Sequence, residues 1–124
     1  MGRVRRAMRE VDGETIKTRV KEIASANTIE VEVGTNGFRG GNYSHGSRTY
    51  FAIKNICGTN LFCEIEDTLV DIPDDEEVAI VLGGDCELMA FIDALKFGVK
   101  VLEEQAARTL GKGDSVTRQW FWEG

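Results

Sequence analysis

The sequence predicts an α+β fold: a small antiparallel sheet of three to four strands packed on a long C-terminal helix, with an N-terminal helix ahead of it. Three observations lead there. Short segments between residues 28 and 66 alternate apolar and polar side chains with a period of two. The second and third are separated only by the short connection Asn55 to Asn60, which favours antiparallel neighbours over a parallel crossover. A stripe of seven apolar residues then recurs at three- and four-residue spacing near the C-terminus. At 124 residues the chain makes one domain by length, spanning residues 1–124.

The elements follow in order. Residues 1–10, with Arg3, Arg5, Arg6 and Arg9, read as a basic N-terminal arm. Asp12 is a candidate N-cap for a helix on which Ile16, Val20, Ile23 and Ala24 share a face, ending at Asn27. From Thr28 to Val33, Ile29, Val31 and Val33 alternate with polar residues, a half-buried strand. A glycine-rich loop follows. Arg48 to Lys54 is a second strand, with Thr49, Phe51 and Ile53 on one side and Arg48, Tyr50 and Ala52 on the other. Asn55 to Asn60, with Gly58, reads as a hairpin connection, and Leu61 to Glu66 as a third strand. Ile72 to Glu77 is an acidic turn, read as solvated. Val78 to Leu82 is apolar throughout, which suits a strand covered on both faces.

Gly83-Gly84-Asp85 opens the long helix, with Asp85 able to cap it and Glu87 in the first turn. The stripe is Leu88, Phe91, Ile92, Leu95, Val99, Leu102 and Ala106, and Gly111 to Gly113 ends the helix. The aromatic tail, residues 112–124, carries Trp120 and Trp122, which are expected to pack on the chain itself or on another subunit. A small sheet covered on one face leaves edges that self-assembly would protect.

Composition narrows the function. A net charge of −6 argues against binding to a DNA or RNA polymer, which relies on a basic face. No apolar run reaches membrane-spanning length and no hydrophobic signal segment follows Met1, so a cytosolic protein is expected, with no membrane partner. Cys57, Cys63 and Cys86 have no CxxC spacing and read as reduced thiols. With His45 the only histidine, neither a metal site nor a cofactor is expected.

Chemistry concentrates in one place. Val33 to Cys63 contains no Asp or Glu although the chain is acidic, and holds Arg39, His45, Arg48 and Lys54. Residues 34–51 include five glycines and two arginines, interleaved with aromatic rings, amides and hydroxyls. The loop lacks the GxxxxGK[ST] pattern, and its glycines open into a strand rather than a helix, so it is neither a Walker A loop nor a dinucleotide fingerprint. The plain alternative is a hairpin loop with several positive-φ positions, but fourteen residues from Gly34 to Ser47 exceed ordinary hairpin connections.

As a ligand site, Arg39 and Arg48 would give bidentate hydrogen bonds to phosphate. Phe38 and Tyr43 would stack on a base, or else anchor the loop. Asn36 and backbone N–H groups would complete the hydrogen bonding, with His45 beside them. Arg108 and Arg118 are further candidates for the same ligand, with the tail tryptophans near them in sequence. Gly83-Gly84-Asp85 offers a second potential anion site at a helix start, or simply a capped strand-to-helix turn. There is no G-x-S-x-G and no HExxH, and a lone His45 is a poor general base, so no catalytic residue is assigned and an enzyme is not expected.

The segment Val31-Glu32-Val33-Gly34-Thr35-Asn36-Gly37-Phe38-Arg39-Gly40-Gly41, continued by His45-Gly46-Ser47-Arg48-Thr49-Tyr50-Phe51, together with Gly83-Gly84-Asp85 and the long C-terminal helix, resembles the Thoeris anti-defence sponges, small phage-encoded proteins. The resemblance spans about two thirds of the chain in order of elements. It implies a non-catalytic protein of the host cytoplasm that assembles into dimers or hexamers. Such a protein sequesters cyclic ADP-ribose isomers or cyclic oligonucleotides, keeping an immune signal from its effector. The rival reading is a phage inhibitor that binds a host defence protein through the acidic run Asp71 to Glu77; a phosphodiesterase using His45 ranks third.

Overall fold

The computed structural model describes residues 3–110. It is α+β, with seven strands and one helix among the described residues: β1 (Arg5–Val11), β2 (Glu14–Ala24), β3 (Thr28–Thr35), β4 (Arg48–Cys57), β5 (Phe62–Ile65), β6 (Thr68–Asp71), β7 (Glu77–Gly83) and α1 (Asp85–Leu110). Five strands form one antiparallel sheet in the order β1-β2-β3-β4-β7, and β5 pairs with β6 in a separate hairpin. The chain divides into two compact units after Leu88.

The expected N-terminal helix is instead the hairpin β1–β2. Val11 pairs with Glu14 across the two-residue turn Asp12-Gly13, both with positive φ (50° and 81°). Asp-Gly is the preferred pair for that turn, whose twist matches the strands it joins. Asp12 is therefore a turn residue and not an N-cap. The β-branched Thr15, Ile16, Thr18 and Val20 favour the extended chain. Their buried set is Ile16, Thr18 and Val20, a period of two. The segment read as a basic arm is, from Arg5 onward, the edge strand β1. The main sheet thus has five strands where three to four were expected.

Two further expectations change. The strand expected at 61–66 exists as β5 but stays out of the main sheet, turning at Glu66-Asp67 (φ 47° and 67°) into β6. The apolar β7 is an edge strand, with Ile80 48% and Val81 52% exposed. A short apolar run does not by itself distinguish a central strand from an edge. Asn55, 1% exposed, ties the β5–β6 excursion to the sheet: its Nδ2 donates to the carbonyl oxygens of Thr59 (2.7 Å) and Ile72 (2.8 Å).

The register sorts the sheet into two unlike faces. Ile29, Val31, Val33, Phe51, Ile53, Val78, Ile80 and Leu82 share one face, partly open to solvent. The other holds a contiguous buried set, Ile16, Thr18, Val20, Glu32, Tyr50 and Ala52. A flat sheet would separate β1 from β4 by about 14 Å. Yet the Arg9 guanidinium of β1 lies 4.5 Å from the centre of the Tyr50 ring in β4, so the sheet coils around this face. Gly34 permits the coil: a Cβ there would fall 2.9 Å from Thr18 Cα and closer still to the Lys17 carbonyl oxygen.

The coiled interior is polar as well as apolar. Arg9 donates through Nε and Nη2 to Glu32 (3.1 and 2.7 Å), and Thr18 Oγ1 donates to the same carboxylate (2.7 Å). Arg9 holds the Glu32 carboxyl below its ordinary range, and Glu32 raises Arg9 in turn. Burial, followed by nearby Glu77, pushes the Tyr50 hydroxyl up. A buried carboxylate is tolerated here because it is paired and fully hydrogen-bonded.

Helix α1 confirms the strongest periodic signal. Its first turn carries Asp85 and Glu87, its last Arg108. Leu88 is buried, whereas Ile92 and Leu95 are more than a third exposed and Val99 and Leu102 more than half exposed. The tail from 112 on, with Arg118, Trp120 and Trp122, lies outside the described residues.

Candidate functional site: the β3–β4 loop

Residues 36–47 connect β3 to β4. The two strands close the base of the loop. Thr35 pairs with Thr49, Asn36 N donates to Arg48 O (3.2 Å), and Asn36 Oδ1 accepts from Arg48 N (2.8 Å). Asn36 is thus a clip across the loop entrance. At the tip, the Asn42 carbonyl accepts from the N–H groups of His45 and Gly46, and Asn42 Oδ1 accepts from Ser44 N (3.1 Å). Gly46 is required there, because any Cβ would run into the Gly41 and Asn42 carbonyls.

Asp85 is the organising residue. The expectation that it caps its own helix is replaced by a longer reach. Gly84, with φ 116°, precedes the helix and its carbonyl accepts from Leu88 N (3.0 Å). The Asp85 carboxylate turns to the loop and accepts from the N–H groups of Arg39 (3.1 Å to each oxygen), Gly40 (2.7 Å) and Ser47 (3.0 Å). Asp85 N donates to Gly41 O (3.1 Å), and Ser47 Oγ donates to Gly84 O (3.0 Å). The converging N–H groups, that of Arg39 foremost, hold the carboxyl at about 2. The glycine-rich backbone does form an anion-binding concavity, and the anion in it is the protein's own carboxylate.

A second anchor joins the loop to the β1–β2 turn. Arg48 is buried. Its Nε donates to Asp12 Oδ2 (3.1 Å), and its Nη1 to the carbonyl oxygens of Ser47 (3.1 Å) and Gly46 (3.4 Å). Its guanidinium stacks 4.4 Å from the centre of the Tyr43 ring, and the Tyr43 hydroxyl donates to Asp12. That hydrogen bond lowers the Asp12 carboxyl, with Arg48 adding to the effect, and it raises the Tyr43 hydroxyl, which Arg48 partly offsets. The ring lies over Gly83, where a Cβ would approach Tyr43 Cε1 to 2.8 Å.

The candidate residues therefore fall into two groups. Asn36, Arg48 and Tyr43 are engaged in holding the loop, although one face of Tyr43 stays open, with 60% of the residue exposed. Phe38 (58% exposed), Arg39 and His45 project from the same loop into solvent. The Arg39 guanidinium and the His45 imidazole have no hydrogen-bond or ion-pair partner among the described residues. Arg108 is exposed in the last turn of α1, within the second unit, and Arg118 lies outside the described residues.

Sequence reasoning missed Asp12 and treated Asp85 as a local cap. The signal for both was the acid-free loop itself, whose buried cation and convergent N–H groups need carboxylates from elsewhere in the chain. No group of three or more His, Cys, Asp or Glu is placed to hold a metal ion among the described residues, and Cys57, Cys63 and Cys86 are free thiols. No helix among them is long and apolar enough to cross a membrane. No family model matches the chain, and neither a curated protein nor a solved structure was found to be similar to it.

Proposed function

We propose that the protein is a non-catalytic binder of a small phosphorylated nucleotide, held on the outer side of the β3–β4 loop. In the setting that the sequence resemblance implies, it acts in the host cytoplasm and withholds a cyclic immune signal, a cyclic ADP-ribose isomer or a cyclic oligonucleotide. The observation that supports this reading is the division of labour within the loop. Its backbone is fixed by Asp85 and Arg48, while Arg39, Phe38 and His45 stand free on its surface. A frame held this way spends little ordering entropy on closure around a ligand. Arg39 pairs with phosphate, and Phe38 with the open face of Tyr43 stacks on a base. The chain assembles as a dimer or hexamer through apolar side chains left exposed, such as Ile80, Phe97 and Leu102.

Native mass spectrometry with a panel of cyclic ADP-ribose isomers and cyclic di- and trinucleotides tests the proposal. The expected result is an oligomer carrying an unmodified nucleotide, lost on Arg39→Ala with the fold unchanged. A bare protein across the panel would reject it, and a chemically altered nucleotide would point to an enzyme instead.

One observation favours a second reading. The β5–β6 hairpin exposes Phe62, Ile65, Leu69 and Val70 beside the acidic run that ends at Glu77. An apolar patch bordered by acids suits a protein partner. Comigration with a host protein, abolished by Ile65→Ser and Leu69→Ser and insensitive to Arg39→Ala, would establish that reading.

A further inference from the structure

We propose that the β1–β2 surface at the loop end of the sheet is a second anion site, separate from the β3–β4 loop, that takes a compact polyphosphate such as a nucleoside triphosphate. The register carries the argument. Arg6 and Arg19 stand directly opposite each other on neighbouring antiparallel strands, and Met8 opposes Lys17. Like charges in that position repel and destabilise the pair. Lys17, Arg19 and Lys21 follow one another on one face of β2, the face that Arg6 shares. None of these four cations has an ion-pair partner among the described residues.

The contrast with the opposite face is direct. There Arg5 and Arg9 of the same strand pair with Glu30 at 2.8 Å and Glu32 at 2.7 Å. On the Arg6 face the one acid contributed by β1 and β2 is Glu10, which accepts from Thr15 Oγ1 at 2.7 Å. Leaving four cations unmatched in a chain of net charge −6 breaks local consistency, and such breaks concentrate at functional sites.

The surface is also concave. Arg6, Met8, Lys17, Arg19 and Thr35 line a cavity of about 760 Å³. That volume suits a nucleotide-sized ligand. Thr35 Oγ1 already accepts from Gly37 N and from Thr49 Oγ1, both at 3.1 Å, so its own hydroxyl hydrogen remains to be donated to an anion. Exposed Met8 supplies an apolar shelf beside the charges, against which a base or ribose packs. Several convergent cations match a multivalent anion better than a single carboxylate, and the acidic remainder of the molecule repels a long polyanion.

Calorimetric titration of the full chain with inorganic tripolyphosphate, and then with ATP, tests the site. Saturable binding at one site per chain is expected, weakened about tenfold or more by Arg19→Gln or Arg6→Gln, as loss of a charge-assisted contact requires. Arg39→Ala, in the loop, is expected to change it less than twofold. That separates this proposal from the loop reading, which fails or stands on Arg39 with the cyclic nucleotides. Both Gln variants should unfold at equal or higher denaturant than the parent, since the repulsion is gone, so weakened binding is not misfolding. ATP binding tighter than tripolyphosphate, and lowered by Met8→Ser, would show that the apolar shelf is used; equal affinities with no effect of Met8→Ser would overturn the nucleotide assignment. Absence of binding, affinity indifferent to Arg6 and Arg19, or affinity that grows with the length of an oligonucleotide would overturn the site.

Discussion

Arg48 offers the sharpest test of the site's construction, because a surface phosphate contact and a buried frame element respond oppositely to its removal. The Arg48 side chain is only 8% exposed and donates to two main-chain carbonyl oxygens, those of Ser47 and Gly46, as well as to Asp12. Arg48→Ala deletes these bonds, leaves the Ser47 carbonyl with its bond from Gly84 N (2.8 Å) alone and the Gly46 carbonyl without this donor, and removes the cation stacked on Tyr43. Hydrogen bonds to a charged group contribute about 1.5–3 kcal/mol each, and an acceptor stranded by truncation adds to the loss. The Asp12 pair is discounted because the carboxylate is 42% exposed. Taking the Ser47 bond at full weight and the longer Gly46 bond at a fraction, the substitution should destabilise the protein by about 3–4 kcal/mol. With a urea slope near 1.5 kcal/mol/M, the unfolding midpoint should fall by roughly 2 M. Arg48→Lys keeps the charge but loses the planar fork and should recover less than half of that. Equilibrium urea unfolding followed by far-ultraviolet circular dichroism measures both variants. A midpoint shift under about 0.3 M for Arg48→Ala, well below the slope-based expectation, would refute the assignment of Arg48 to the frame and return it to the ligand-facing surface.

Gly34→Ala should destabilise by about 1–3 kcal/mol or more although no positive φ is involved, because the added Cβ meets the backbone of β2 and not a movable side chain; an unchanged melting temperature would show that the sheet is not tightly coiled at this point. The Asp85 carboxyl, held at about 2, sits below its ordinary 3.8, so its contribution to loop docking is complete above pH 4 and is lost as pH falls through 2. Protection of the Arg39, Gly40 and Ser47 amides, taken relative to the intrinsic exchange rate at each pH, should accordingly be high at pH 5 and fall steeply towards pH 2. Asp85→Asn should exchange fast already at pH 5. Equal protection in the two proteins would exclude the carboxylate as the anchor.

Much of the fold was legible before the structure. The stripe from Leu88 to Ala106 announced α1, and the alternations at Thr28–Val33 and Arg48–Lys54 placed β3 and β4 with the correct sides of β4. The first hairpin was misread because Ile16, Val20 and Ile23 fit a helical face when Thr18 is counted as polar, whereas in the strand Ile23 points away from Ile16 and Val20. In the structure Thr18 is among the most buried residues, its hydroxyl satisfied by Glu32. The Asp12-Gly13 turn was the signal that could have decided the matter. Of the candidate site, the loop itself and the exposure of Phe38 and Arg39 were legible. The diversion of Asn36 and Arg48 into its frame was not, since it depends on how the loop closes on itself and on Asp12 of the β1–β2 turn.

The sequence by itself determined the α+β class, the long helix, the strand pair around the glycine-rich loop and the concentration of cationic and aromatic side chains in that loop. Each follows from local periodicity, turn chemistry or composition, quantities that neighbouring residues carry. Only the tertiary structure decided which charges are committed. Coiling of the sheet brings Arg9 over Tyr50, the β1–β2 turn carries Asp12 to Arg48, and the start of α1 delivers Asp85 to the N–H groups of a loop some forty residues earlier. Charge pairing depends on distance in space, and a coiled antiparallel sheet brings together groups far apart in the chain. It also leaves Arg6 and Arg19 face to face with no acid between them.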